Sequence, residues 1–437
     1  MSARSWRARG AIGLTAAVMV GLAGCAHLPP PDLAKAYADA RAVLDRGLTD
    51  ADAFTRSHTI EALAETVGPH AGKAYEHALA DPYPPVRFAA AMAIGDTQYA
   101  AAKGLLLQMA GDKQLEPDRR VMPAIIYALY RLGDNTNAED LYPLLFDPER
   151  EVRANAALAM GKMGEPSGIG PLKTRLNDEQ DQLVRLEIIE SLALLGDSAS
   201  ALGLESYTKK TPFMDERLVA IPAMARVRST TAPQVLEELL DSRQPPRVRV
   251  SAAGALGMLG KSSPTGYELC RRAAMQPQKV LDETYGGRRA GSEQEVGSLQ
   301  RLAAISLGWM GNEAAVADLQ PLLDNADGAV RAAAAMSILR LLPAYQRPLP
   351  PSVLTTEPEP LAPVPGVPVP AVAAPVAAAP VAPEPVAPPP APPVVVVPPV
   401  EPAAAEPSAP AEPAPLAAPP TARPSPWMKL RTAGGKD

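Results

Sequence analysis

Apolar side chains recur at helical spacing along the first three quarters of the chain. In the stretch from Asp147 to Gly161, Val152, Ala156, Ala159 and Met160 fall on one helix face. Pro148 suits a first helical turn behind a capping-type Asp147. Gly161 and Gly164 suit the left-handed conformation that ends a helix, and a second, shorter helix follows around Gly170 to Leu176. The unit repeats. Val86-Arg87, Val152-Arg153, Val184-Arg185, Val248-Arg249 and Val330-Arg331 each open an Ala- and Leu-rich stretch, and Arg56, Arg120, Arg217 and Arg301 fill the gaps. These arginines lie about 30–34 residues apart, save one interval of about 52, a period that fits a two-helix repeat. Gly-Asp pairs (Gly95-Asp96, Gly133-Asp134, Gly196-Asp197) join a stop signal to a cap for what comes next.

The pattern predicts an all-α fold, an α-α superhelix of about nine helical hairpins over residues 33–345. No hairpin can hide its apolar face alone, so neighbours supply the core. Stacked at about 8–10 Å per layer, nine hairpins would form a curved rod roughly 80 Å long. Its long concave surface, lined by the helices that begin at the arginines, is the expected binding site for a protein partner. Tyr127, Tyr130, Asn155, Glu187 and Glu190 read as exposed there, with Glu187 turned away from Leu186 and Ile189. Of these, Tyr127, Tyr130, Glu187 and Glu190 are the candidate binding residues. The long interval before Arg301 carries about 20 extra residues, and insertions in repeat arrays map to loops on one face. It includes Gly286-Gly287-Arg288-Arg289, where Arg288 and Arg289 suit either a guanidinium pair for a carboxylate or phosphate or a plain solvated loop.

With its Asp, Val-Arg pair and Ala-Leu-Gly ending, this unit resembles the HEAT-like repeat of the PBS-lyase type. Asp81 to Arg87 and Asp147 to Arg153 match that family's spacing, while Asp178 to Arg185 and Asp324 to Arg331 are one residue longer. The resemblance implies a ladder of hydrogen bonds between the turns of successive repeats, and so a structural role for the arginines. The units around Arg120, Arg217 and Arg301 lack the preceding Val. One HEAT-like enzyme family, the deoxyhypusine hydroxylases, builds a di-iron centre from His-Glu pairs. None of His27, His58, His70 and His77 is followed by Glu. The phycobilin lyases are similar only at the level of the repeat.

The ends of the chain have a different composition. Arg4, Arg7 and Arg9 precede an apolar run from Ala11 to Gly21 that is too short to span a bilayer comfortably, the form of a secretory signal. Leu22-Ala23-Gly24-Cys25 follows and resembles the bacterial lipobox, which implies cleavage after residue 24 and lipidation of Cys25. Several acyl chains at about 0.8 kcal/mol per buried methylene would anchor the chain stably. Ala26, where an Asp commonly retains lipoproteins at the inner membrane, implies the outer membrane, facing the periplasm. Residues 25–32 are then a lipidated N-terminus and linker. More than half of the 51 prolines fall after Leu342, so residues 346–437 form a Pro-, Ala- and Val-rich tail predicted to be disordered. Proline blocks helix and favours polyproline II, giving a semi-rigid spacer that suits peptidoglycan or a second protein as partner.

Charge and chemistry narrow the function. Against 48 Asp and Glu stand 42 Lys and Arg, a net −6, which disfavours a nucleic-acid partner. There is no Walker-type loop and no Gly-x-Ser-x-Gly elbow. His70 and His77 form only a weak metal signal without nearby carboxylates or thiols. Cys270 reads as a small buried hydrophobe. No cofactor and no enzymatic activity are therefore expected. The reading is a non-catalytic protein–protein interaction scaffold anchored to the envelope by lipid. The alternatives are a structural spacer between membrane and cell wall, or a HEAT-like lyase-related enzyme.

Overall fold

A computed structural model describes residues 32–345, apart from 113, 117, 210 and 286–291. The expected signal segment, Cys25, Arg288, Arg289 and the tail from residue 346 lie outside the described residues. Among those described, the structure is all-helical, with nineteen α-helices and no strand. In chain order they begin with α1 Leu33–Gly47, α2 Ala53–Thr66, α3 Gly72–Ala78, α4 Pro84–Thr97, α5 Lys103–Gly111 and α6 Met122–Arg131. Next come α7 Leu141–Leu144, α8 Arg150–Met163, α9 Ile169–Asp178, α10 Gln182–Leu194, α11 Ser198–Lys209 and α12 Met214–Arg226. The last seven are α13 Ala232–Glu238, α14 Pro246–Met258, α15 Pro264–Met275, α16 Pro277–Tyr285, α17 Glu293–Trp309, α18 Ala315–Leu319 and α19 Gly328–Leu341. None is long and apolar enough to cross a membrane.

Local chemistry sets the boundaries. Asp52, Asp181 and Asp327 cap α2, α10 and α19 by accepting backbone N–H bonds, while Pro84 and Pro246 occupy first turns that need no donor. Asp147 is not a cap. Its Oδ1 accepts the Glu149 N–H in the turn, and α8 begins only at Arg150. Gly164 ends α8 with φ +77°, as expected. Gly161 has another task inside that helix: a Cβ there would lie 2.7 Å from the Ser191 side chain of α10. Gly254 and Gly308 stand equally close to Ser306 and Ser337. Small residues thus let successive inner helices touch backbone to backbone.

The arginine ladder is present, and its true register is visible. Arg56 grips Asp81 with two bonds of 2.7 and 2.9 Å and donates to the carbonyls of Asp50 and Ala51. Arg87 does the same to Glu116, and Arg153 to Glu179. Asp81 and Glu179 lie six residues before Arg87 and Arg185, whereas Glu116 lies four before Arg120. Glu179 and Asn325, not Asp178 and Asp324, fill the place six before Arg185 and Arg331, so no extra residue is present. Four expected rungs are corrected. Arg185 donates to the Leu176 and Glu179 carbonyls and Arg249 to the Leu240 carbonyl, and among the described residues neither reaches the next repeat. Arg301 is displaced by its neighbour Gln300, which accepts from Asn325 and donates to the Ala274 carbonyl. Arg120 instead folds onto Asp118 in its own turn.

The inner helices α2, α4, α6, α8, α10, α12, α14, α17 and α19 each pack against the next, and α19 packs against α2. The array therefore closes on itself, where the sequence suggested an open rod. Helix α1 bridges α19 and α2, as α11 bridges α10 and α12. The ladder continues across this seam: Arg331 reaches Asp50, the acceptor six residues before Arg56, at 3.0 Å. Arg340 pairs with Glu65, and a Cβ on Gly328 would lie 2.3 Å from Thr55 Oγ1. The end hairpins are capped by each other, which removes the exposed apolar ends an open array must cover.

Candidate functional site on the inner face

The packing of each inner helix on its neighbours decides what its polar side chains meet. Tyr127 on α6 is fully buried; its hydroxyl donates to Asp96 on α4 at 2.6 Å. Lys162 on α8 reaches past it to Asp96 at 2.7 Å, its ammonium 5.2 Å from the centre of the Tyr127 ring. Lys162 and Asp96 are each only 5% exposed, so the pair is enclosed and polarised rather than solvated. Burial, reinforced by the Asp96 charge and hydrogen bond, pushes the Tyr127 hydroxyl far above its ordinary pKa. Tyr130 is half-buried and hydrogen-bonds Glu165; burial first, and that bond second, raise it to about 12.

Glu190 on α10 is buried and accepts from Arg226 Nε on α12 at 2.6 Å. Glu187 is buried as well. The expectation that Tyr127, Glu187 and Glu190 lie exposed on a concave surface is therefore corrected, while Tyr130 stays partly exposed. Helical spacing gave their direction, but side chains of neighbouring repeats cover them. Cys270 is fully buried, its Sγ 3.9 Å from the Val250 carbonyl, and burial pushes its thiol pKa well up. That is the small-hydrophobe environment its sequence implied.

The polar column missed by the sequence reading had a signal. Glu65, Asp96, Lys162, Arg226 and Arg340 each stand nine residues after a ladder arginine, respectively Arg56, Arg87, Arg153, Arg217 and Arg331. Acid and base at one repeat position mark a column of cross-repeat pairs. At the seam a cleft of about 390 Å³ opens between α1, α2 and α19, lined by Arg46, Asp50, Thr55, Asn325 and Arg331 among others.

Family models agree with this architecture. HEAT repeats match residues 113–193 and 138–224, and the PBS lyase HEAT-like repeat matches residues 299–325. The chain carries HEAT-like repeats. It is also similar to a deoxyhypusine hydroxylase of Schizosaccharomyces pombe, 31% identical over 102 residues. That match covers 23% of this chain and 32% of the relative, so it spans about a third of the relative's length. The solved structure of human deoxyhypusine hydroxylase in complex with glycerol is 18% identical and covers 70% of this chain and 97% of that one. Its TM-score is 0.30.

Among the described residues no three His, Cys, Asp or Glu side chains gather in a geometry able to hold a metal. His58 is buried between the Phe54 ring, 4.0 Å away centre to centre, and the Arg301 guanidinium, 3.3 Å from its Nε2. A cation beside the ring nitrogen is a poor setting for metal ligation.

Proposed function

We propose that the chain is a non-catalytic protein–protein interaction scaffold of the bacterial envelope, held to the outer membrane by lipid on Cys25. HEAT-like arrays commonly serve as interaction surfaces. With the inner face enclosed, this reading takes the outside of the array as the partner surface. The observation that carries this reading is an aromatic pair beside the ladder turns. Tyr142 and Phe146 are 49% and 38% exposed, with ring centres 5.3 Å apart, and the Arg175 guanidinium lies 5.6 Å from the Phe146 ring. Exposed aromatics next to an ordered arginine are the composition of interface hot spots.

The test is affinity capture from envelope extracts with the full chain and with Tyr142→Ala/Phe146→Ala. The scaffold reading expects a reproducible partner that the double variant loses. A partner set unchanged by the variant, or none above background, refutes it. Anchoring is tested apart: Cys25→Ser should release the protein from the membrane fraction, and retention there would sink the lipid assignment.

A further inference from the structure

At the seam the ladder closes with a single bond. Arg56 holds Asp81 through Nε and a terminal nitrogen, and the two side chains are only 9% and 8% exposed. Arg331 reaches Asp50 through one terminal nitrogen alone, at 3.0 Å, and this pair is 28% and 24% exposed. Its other terminal nitrogen donates to the Asn325 and Ala326 carbonyls. Among the described residues its Nε makes no hydrogen bond. Beside this half-made rung lies the cleft of about 390 Å³. Arg46, at the end of α1, and Asp324, in the turn before α19, also line it, with the buried Thr55 and Thr59 of α2. Among the described residues neither the Arg46 guanidinium nor the Asp324 carboxylate forms a hydrogen bond or ion pair. Lys35, itself paired with Asp39, senses Asp324 only from beyond ion-pair range.

Two guanidiniums and two carboxylates, Arg46 and Arg331 with Asp50 and Asp324, thus line one space between the first and last hairpins of the array. Their charges balance. A simple anion there meets Asp50 and Asp324, and a simple cation meets Arg46 and Arg331. A ligand carrying both charges satisfies both sets, because guanidinium forks grip a carboxylate and a carboxylate accepts from an ammonium. No aromatic ring lines the cleft among the described residues, so a nucleobase has nothing to stack on. The volume lies at the small end of the range of about 300–1,000 Å³ that ligand pockets span. We propose that the seam cleft binds a small zwitterion, a free α-amino acid or a dipeptide. Its carboxylate sits on Arg46 and the open Nε edge of Arg331, and its ammonium on Asp324. The ligand then joins α1 to the start of α19 and holds the array closed. This inference does not depend on the lipid anchor or on a protein partner.

The experiment is thermal melting of the full chain with each common L-amino acid and with glycylglycine, at equal ionic strength. A ligand that binds only the folded state raises the melting temperature saturably, whereas a solute merely excluded from the surface gives a rise without saturation. At least one of these zwitterions is expected to give a saturable rise. Its N-acetyl derivative, which lacks the ammonium, and its amide, which lacks the carboxylate, should each half-saturate at a concentration about tenfold higher or more. Arg46→Gln and Asp324→Asn, both at exposed positions, should melt like the parent without ligand. Each should weaken the response by about tenfold or more. Arg243→Gln, at an exposed side chain in another turn, should leave it unchanged. Hydrogen exchange should slow with the ligand at residues 43–50 and 324–332. The absence of any saturable rise overturns the proposal. So does a rise that survives both substitutions, a rise matched by the N-acetyl derivative or the amide, or protection confined to other segments.

Discussion

Closure of the array can be tested by locking it. Thr55 and Gly328 are 273 residues apart in sequence, yet a Cβ built on Gly328 would stand 3.1 Å from the Thr55 Cβ. Disulfides span Cβ separations of about 3.5–4.5 Å, so Thr55→Cys/Gly328→Cys needs the two helices to part by roughly half an ångström. A cross-link over a loop of that length removes enough unfolded-chain entropy for about 5.6 kcal/mol on the chain-entropy relation. Strain from the short separation reduces this, leaving an expected gain of roughly 2–5 kcal/mol for the oxidised over the reduced form. Cys270 is buried and does not compete, and Cys25→Ser in the same chain removes the other native thiol. The assay is mild oxidation, a non-reducing gel, and urea unfolding of both forms. A monomer that runs faster than its reduced form and unfolds at higher urea is expected. An open rod holds these two positions at opposite ends. Thiols that stay free while the helical signal is intact, or that join only separate molecules, would refute closure.

Other substitutions probe the pairs inside the array. Arg56→Ala strands Asp81, 8% exposed, without its partner, and should cost about 3–5 kcal/mol in urea unfolding. Arg243→Ala, at the surface, should cost under about 0.5 kcal/mol; equal losses would refute the structural role of the ladder. Lys162→Met leaves Asp96 buried and unpaired and should cost about 3–5 kcal/mol, against about 1.5–3 kcal/mol for Tyr127→Phe. The reverse order would contradict the enclosed pair. For Glu179, burial pushes the carboxyl up, but bonds from Arg153, the Asp181 N–H and Arg175 outweigh it and hold the group at about 2. A depressed folded pKa contributes stability that is fully present above the unfolded value of about 4.3 and is lost as the pH falls toward 2. Urea midpoints should drop across that window, and Glu179→Gln should flatten part of the drop. A variant with the parent's slope would count against the assignment.

Helix periodicity, turn residues and the recurring Val-Arg pair determined the hairpin repeat from the sequence alone, because a helix hides its apolar face at a fixed local spacing. The same locality explains the errors. Arg301 and Gln300 are neighbours, and only the contact with Asn325 decides which of them takes the rung. Tyr127 and Glu190 point to the inner side as spacing predicts, but whether that side is wet depends on helices many residues away. Gly161 looked like a stop signal because the approach of Ser191 that requires it is a contact between repeats. Closure itself rests on small per-repeat rotations that add until Arg331 meets Asp50. No single repeat encodes that sum, so only the tertiary structure settled that the array has no free ends and that its polar column pairs from one repeat to the next.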